Sequence, residues 1–499
     1  MDRTSIVDTS FGKIQGYKEN GIEIFKGIPY AEPPIGDLRF SEPKPKTKWQ
    51  GVKDTIECGP MAPQHEPEDP RINLPESEDC LYLNVWTPGV DDKKRPVLVW
   101  IHGGGYLNGT GARPRTDGTA LTTQCDVVVV SFNYRLGVLG FLFLPGIPPN
   151  LGIQDQVAAL QWVQKNIEKF GGDANKITIF GESAGGMSVG ILLAIPSSKG
   201  LFHKAIMSSG AANPRDYNNS RSREGAEKLL SKLGIGIENI EDLKKVPLKR
   251  LMSLQKKIVG GIFNVKGNPF WPYIDGDYIP EQPIDTIRKG NNHQVPLIIG
   301  YNENELGFIS EQLINSDKMK RELILKFTRS QIKSNDIDDP VMNQLINVYR
   351  GELEKKYPDN EFLYWDAILS DTMFKIPIIR QLEAHIIHQS NVYTYIFSYN
   401  SPRFGFALHV FEIPFVFNTL DKTDLIEGAI KVNEESKSLA KMVMNTWVNF
   451  ARTGNPNNDG IPKWPTYDLE KRFTMILSIN PKIIETTEDP LRKIWDGIL

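Results

Sequence analysis

Cysteine is scarce in this 499-residue chain. The three that occur, Cys58, Cys80 and Cys125, cannot all pair, which argues against a disulfide framework. Charge of one sign is also missing: 58 Lys and Arg face 61 Asp and Glu, for a formal net charge of −3. That balance offers no basic footprint for nucleic acid. No apolar run is long enough to span a bilayer, because the most hydrophobic stretch, Val127 to Leu144, is broken by Asn133 and Arg135 and followed by Pro145. The opening residues Met1 to Ser5 lack the apolar core of a secretion signal, so an intracellular, reduced, cytoplasmic protein is expected. The two Asn-x-Ser/Thr sequons, at Asn108 and Asn218, then read as coincidental, and a glycan on Asn108 would crowd the glycine run just before it. Internal repeats and low-complexity tracts are absent.

What the chain has is strands alternating with helices. The opening forty residues read as short strands and turns, Phe11–Gly16 and Gly21–Phe25 among them. From Pro96 to Gly210, buried-type strands such as Pro96–Ile101 and Val127–Val130 alternate with helical patterns. Ile153, Val157, Leu160, Val163 and Ile167 fall on one helical face, and Gly171-Gly172 closes that helix. Charged, helix-prone segments at about 221–260 and 311–390 read as rim helices that shape a pocket. The alternation implies an α/β architecture with a mostly parallel sheet covered on both faces.

Within it, Lys176–Phe180 is a β-branched run leading into Gly181-Glu182-Ser183-Ala184-Gly185-Gly186, and Met187–Leu193 can continue as a helix. A serine on a sharp strand-to-helix turn, flanked by small residues, is the G-x-S-x-G nucleophile elbow. A serine hydroxyl is a weak nucleophile at neutral pH, so the motif requires oxyanion donors, a base and an orienting acid. The strand Pro96–Ile101 runs into His102-Gly103-Gly104-Gly105, whose N–H groups, with that of Ala184, can hold a tetrahedral oxyanion. No Walker-type lysine-serine pair follows it.

Seven histidines compete for the base. His102 belongs to the glycine loop and reads as its support. His203 precedes a strand, His385 and His388 lie in a helical pattern, and His65 and His293 sit in polar loops, so structural roles are expected for them. His409 follows the strand-like Asn391–Tyr399 by a loop containing Pro402 and Gly405, where this architecture delivers its base. An unperturbed imidazole would place the acid limb of activity near pH ~6.5. The acid should end an earlier strand, and Val295–Tyr301 is followed by both Glu303 and Glu305. Spacing alone does not choose between them.

These residues carry a resemblance that spans nearly the whole chain. Phe25–Ala31, Leu38–Phe40, Ser77–Asn84, the run from Phe170 to Gly185, Gly300–Gly307 and Ala407–Phe415 are similar, in order, to the motifs of the type-B carboxylesterases, the family that includes the cholinesterases. The resemblance implies an α/β-hydrolase fold, with residues 1–499 as one unit despite a length that alone would suggest about three domains. It implies Ser183 as nucleophile, His409 as general base and acid, and Glu305 as the orienting carboxylate. Gly104, Gly105 and Ala184 would form the oxyanion hole, and Arg39 and Glu78 would pair as scaffold. The expected activity is hydrolysis of small to medium uncharged carboxylic esters through an acyl-enzyme, with no metal or organic cofactor. Amide or carbamate cleavage by the same triad is the nearer alternative. A non-catalytic adhesion protein of the same fold is the remoter one, and the three filled triad positions oppose it. The chain departs from the family pattern in three ways, one being that the position of the family's disulfide partner for Cys80 aligns nearer Ala62 than Cys58. Val410 stands where a glycine commonly follows the histidine, and no tryptophan lies between Cys58 and Cys80 to receive a choline cation.

Overall fold

The computed structural model describes residues 2–64, 72–212, 219–260, 267–307, 339–355, 361–422 and 427–498. Among these, the β-branched and aromatic runs pair into a 12-stranded sheet. Its spatial order is β1 (Asp2–Arg3), β4 (Tyr17–Glu19), β5 (Ile22–Pro29), β7 (Tyr82–Thr87), β9 (Val128–Phe132), β8 (Arg95–Ile101), β10 (Gly172–Glu182), β11 (Lys204–Ser208), β12 (Leu297–Asn302), β13 (Val392–Phe397), β14 (Phe473–Leu477) and β15 (Lys482–Glu485). The block from β9 to β14 is parallel throughout. Antiparallel pairs extend it at both ends.

The small N-terminal strands pair antiparallel, as expected: β1 with β4, β4 with β5, and β2 (Val7–Thr9) with β3 (Gly12–Gln15). Only β2, β3 and β6 (Val52–Asp54) form a second sheet, and there β6 pairs parallel to β3. The connection between β3 and β6 is long enough to return the chain in the same direction, which a tight hairpin cannot do.

The core lies on both faces of the parallel block, because successive side chains of a strand point to opposite sides. Val97, Val99, Ile101, Ile177, Ile179, Ala205 and Met207 pack on one side with the helices Leu151–Asn166 and Ala184–Ala194. Leu98, Trp100, Phe180, Ile206 and Ile298 pack on the other, against Leu439, Val443 and Trp447 of the helix Glu434–Thr453. That last helix begins at a capping box in which Asn433 and Ser436 bond each other's backbone, and it ends at Gly454 in the left-handed conformation.

The helix Leu151–Asn166 carries the expected apolar face and then a short 3-10 turn, Ile167–Phe170, closed by Gly171 at φ 74°. Its N-terminal half, Leu151 to Val157, is buried all round. Asp155 meets Arg135 in a bidentate pair at 2.7 and 2.8 Å with both side chains almost fully enclosed. Removing one partner of such a pair would leave a buried charge, at a cost of roughly 3–5 kcal/mol.

The first rim segment contains the helices Asn219–Leu233 and Leu248–Val259 with a 3-10 stretch, Ile237–Lys245, between them. The second contains Asp339–Leu353, Glu361–Ser370 and Ile376–His385, with a π turn at Asp371–Lys375. Its expected portion at 311–338 lies outside the described residues. Arg39 and Glu78 pair as scaffold through two bonds of 2.6 and 2.5 Å, and the same guanidinium donates to the carbonyls of Lys244 and Val246 in the rim. Among the described residues no helix is long and apolar enough to cross a membrane.

Candidate active site

β10 ends at Glu182, and the helix Ala184–Ala194 begins two residues later. Ser183 makes the turn alone, at φ 57° and ψ −125°, a conformation that non-glycine residues rarely adopt. The turn holds because its neighbours have no side chains to clash. A Cβ on Gly185 would sit 2.1 Å from the Ile101 carbonyl oxygen, and one on Gly210 would sit 2.2 Å from that of Ser183. The Ser183 N–H donates to the Ser208 carbonyl at 2.9 Å, which ties the elbow to β11.

The glycine loop lies directly over this turn. A Cβ on Gly103 would come within 3.0 Å of the Ser183 Cβ. Gly104, Gly105 and Tyr106 follow at φ 106°, 60° and 57°, three left-handed residues in succession. His102 supports the loop as expected: its ring stacks on Tyr134 with centroids 4.3 Å apart, and Tyr134 Oη donates to the His102 carbonyl at 2.8 Å. Asn108 is half-buried in the same loop, where a glycan would be crowded. The other sequon, Asn218, lies outside the described residues.

The turn after β12 separates the two candidate acids. Glu303 is exposed and accepts from Ser398 Oγ at 2.7 Å. Glu305 is 1% exposed, and one of its carboxylate oxygens meets His409 Nδ1 at 2.6 Å. The other oxygen accepts from Ser209 Oγ at 2.6 Å and from the Asn302 backbone N–H at 2.7 Å. The His409 N–H in turn donates to the Glu305 carbonyl at 3.1 Å, so backbone and side chain fix the pair together.

Two further carboxylates were not anticipated from the sequence. Glu182 Oε1 lies 3.1 Å from His409 Nε2, and Glu412 is fully buried and accepts from Asn302 Nδ2 at 2.6 Å. Among the described residues, no hydrogen bond joins Ser183 Oγ to the imidazole. Nε2 faces Glu182 instead, and catalytic hydrogen bonds commonly tighten only once substrate is bound. The acidic surroundings shift the base. Burial opposes the imidazolium, but the charge of Glu182, the bond to Glu305 and the charge of Glu412 together outweigh it and hold the His409 pKa up, to about 9. The acid limb expected near pH ~6.5 is therefore displaced upward. Glu412 is itself pushed up, by burial first and then by repulsion from Glu182 and Glu305.

The signal for Glu182 was its place beside the serine. For Glu412 it was a spacing of three residues from His409, which puts both on one side of a turn. Phe374, from the π turn of the rim, packs against the imidazole with ring centroids 4.8 Å apart. Val410, the departure from the family pattern, sits at φ 68°.

The remaining histidines bond backbone or structural side chains. His203 Nδ1 accepts from the Ile177 N–H, His293 Nε2 lies 2.9 Å from Ser198 Oγ, and His385 and His388 bond the carbonyls of Val295 and Arg288. His65 lies outside the described residues, as does the rest of 65–71 within the stretch that argues against choline recognition.

A family model described as the carboxylesterase family matches residues 3–494. The para-nitrobenzyl esterase of Bacillus subtilis is 36% identical and is covered over 98% of both chains. Liver carboxylesterase 1 of Oryctolagus cuniculus is 35% identical over 94% of this chain and 89% of its own. A crystal structure of a carboxylesterase from Geobacillus stearothermophilus superposes with a TM-score of 0.87 at 34% identity, covering 98% of this chain and all of that one.

Proposed function

This chain belongs to the carboxylesterase family and is a serine carboxylic-ester hydrolase, and we propose that Ser183, His409 and Glu305 perform the reaction. The 2.6 Å bond between Glu305 and His409 Nδ1 carries this reading. With Nδ1 occupied by the carboxylate, Nε2 is the nitrogen left to take a proton. His409 Nε2 accepts the proton of Ser183 as Oγ attacks the ester carbonyl. Negative charge develops on the carbonyl oxygen, where the N–H groups of Gly104, Gly105 and Ala184 stabilise it. The protonated His409 then gives its proton to the departing alcohol, leaving an acyl group on Ser183. Water, deprotonated by the same nitrogen, releases the carboxylic acid and restores the serine.

Small to medium uncharged esters are the proposed substrates. The names of the relatives, a para-nitrobenzyl esterase and a liver carboxylesterase, support that class. A reduced, cytoplasmic setting is proposed as well, supported by three cysteines that carry no disulfide and by burial that pushes the Cys80 thiol far up.

Nitrophenyl esters of increasing acyl length, run beside a matched nitroanilide, test the class of substrate. The expected result is rapid ester turnover with the anilide slower by orders of magnitude. Comparable rates would favour amide cleavage instead. An organophosphate should add to Ser183 and fail to add to Ser183→Ala, whose kcat should be lower by about 10⁶. An adduct found by mass spectrometry on Ser188 or Ser209 would overturn the assignment.

A further inference from the structure

We propose that Asn268, which follows the first rim segment and lies 163 residues from Gly105 in sequence, is a positioning residue for the oxyanion hole. The inference rests on the reading of Gly104 and Gly105 as oxyanion donors and adds the group that keeps them in place. Three successive residues in the left-handed region do not hold themselves there. Gly104 and Gly105 have no Cβ to bias their rotation, and Tyr106 is strained at φ 57°.

The loop's carbonyl groups account for its shape. The Gly103 carbonyl lies 2.9 Å from His102 Nδ1, and the Gly104 carbonyl accepts from the N–H groups of Leu107 and Asn108, each at 3.0 Å. The Tyr106 carbonyl accepts from the Gly137 N–H at 2.7 Å. The Gly105 carbonyl accepts from Asn268 Nδ2 at 3.1 Å, a bond that spans 163 residues of sequence. With all four carbonyls engaged, the peptide planes are fixed, and the N–H groups of Gly104 and Gly105 make no bond within the protein among the described residues. They are left for a ligand oxygen.

Asn268 is itself held firmly. Its Oδ1 accepts from the Phe270 N–H at 2.9 Å, and its Nδ2 also donates to the Phe270 carbonyl at 3.1 Å. Beyond it, Trp271 packs edge-on to Tyr106 at 4.9 Å between centroids. Asn150 brackets Tyr273 with bonds of 2.8 and 3.0 Å to its carbonyl and N–H. The donor that reaches Gly105 therefore stands at the head of a segment clamped at Phe270, Trp271 and Tyr273. The bonds to the Gly104 and Tyr106 carbonyls come from backbone, whereas this one comes from a side chain and can be removed by substitution. Without it, the Gly105–Tyr106 peptide loses its anchor, and Gly105, whose own N–H is one of the donors, is held on its C-terminal side only through the strained Tyr106. The donors then lose the preorganisation that makes an oxyanion hole effective, since they must be aimed before the charge appears.

Two variants test this without dismantling the turn. Asn268→Asp keeps an oxygen acceptor for the Phe270 N–H at nearly the same volume and loses the amide donor. Asn268→Ser keeps a shorter hydroxyl acceptor, adds no charge, and cannot reach Gly105. For both, kcat toward a short-chain nitrophenyl ester should fall about tenfold, while KM stays within about twofold. Affinity for a trifluoromethyl ketone, whose adduct oxygen occupies the oxyanion position, should fall in parallel with kcat, and the melting temperature should move little. Wild-type kcat and ketone affinity in both variants would overturn the proposal. So would a loss confined to Asn268→Asp, which would mark a charge effect, or a loss of activity that tracks melting temperature with ketone affinity unchanged. A native enzyme that neither turns over the ester nor binds the ketone would instead bring down the parent reading.

Discussion

Around Ser183 the chain relies on backbone geometry, and around His409 it relies on buried charge. The nucleophile side is a strand, a one-residue turn and a helix, with glycines wherever a Cβ would strike a carbonyl. Its strain is stored in the backbone of Ser183 itself. On the base side, Glu305 and His409 come from loops 104 residues apart and are joined by a charge-assisted bond, with Glu182 and Glu412 enclosed beside them. The first side tolerates no added volume. The second is sensitive to the loss of one charge, even when shape is preserved.

Isosteric substitutions sharpen that contrast. Glu305→Gln preserves volume but presents an amide to Nδ1, and by analogy with other triads kcat should drop by about 10⁴. Glu303→Gln, at the exposed neighbour, should change it by less than about twofold. Steady-state kinetics on the two purified variants would decide the matter. Equal, small losses would mean that the base side does not depend on the Glu305 charge.

Next in size is the pH effect. Attack requires neutral His409, whose pKa is held at about 9, so kcat/KM should climb with pH and level off only above that value. Glu182→Gln removes the leading charge that favours the imidazolium. The acid limb of the kcat/KM profile should then move down by about 1–2 pH units. A limb that stays in place would assign the shift to Glu305 and Glu412 alone.

The smallest effect tests whether backbone strain is confined to the nucleophile side. Val410 stands at φ 68°, directly after the base, and is partly buried. Ordinarily alanine is more stabilising than glycine. Here Val410→Gly should exceed Val410→Ala by about 1 kcal/mol, because only glycine relieves the left-handed backbone. Denaturant melts of the two variants give the order directly, and the usual ranking would mean that this loop is relaxed.

The same contrast explains what could be read from the sequence. The elbow and the glycine loop are runs of consecutive residues whose types fit only a few turns, so the sharp turn at Ser183 and the loop His102–Gly105 were legible locally. Strands β8 to β13 were visible as continuous apolar runs because both faces of the sheet are covered. Glu303 and Glu305 differ only in burial two residues apart, which spacing does not encode. Glu182 and Glu412 matter through contacts with a histidine brought in by the fold, and Asn268 has no local signature at all. The direction in which β6 pairs with β3 has no local signature either, since it is set by where a long connection returns.

The Arg39 guanidinium touches Glu78 nearby in the chain and the carbonyls of Lys244 and Val246 up to 207 residues later. As the polypeptide is synthesised, Arg39 emerges well before those carbonyls exist, and it stays hydrated until the rim segment docks. Contacts that close so long a loop must first overcome its entropy, so they form after local structure has assembled. A bond made that late slows unfolding far more than it hastens folding. Loss of the Arg39 clasp should therefore shorten the life of the finished enzyme more than it slows its making.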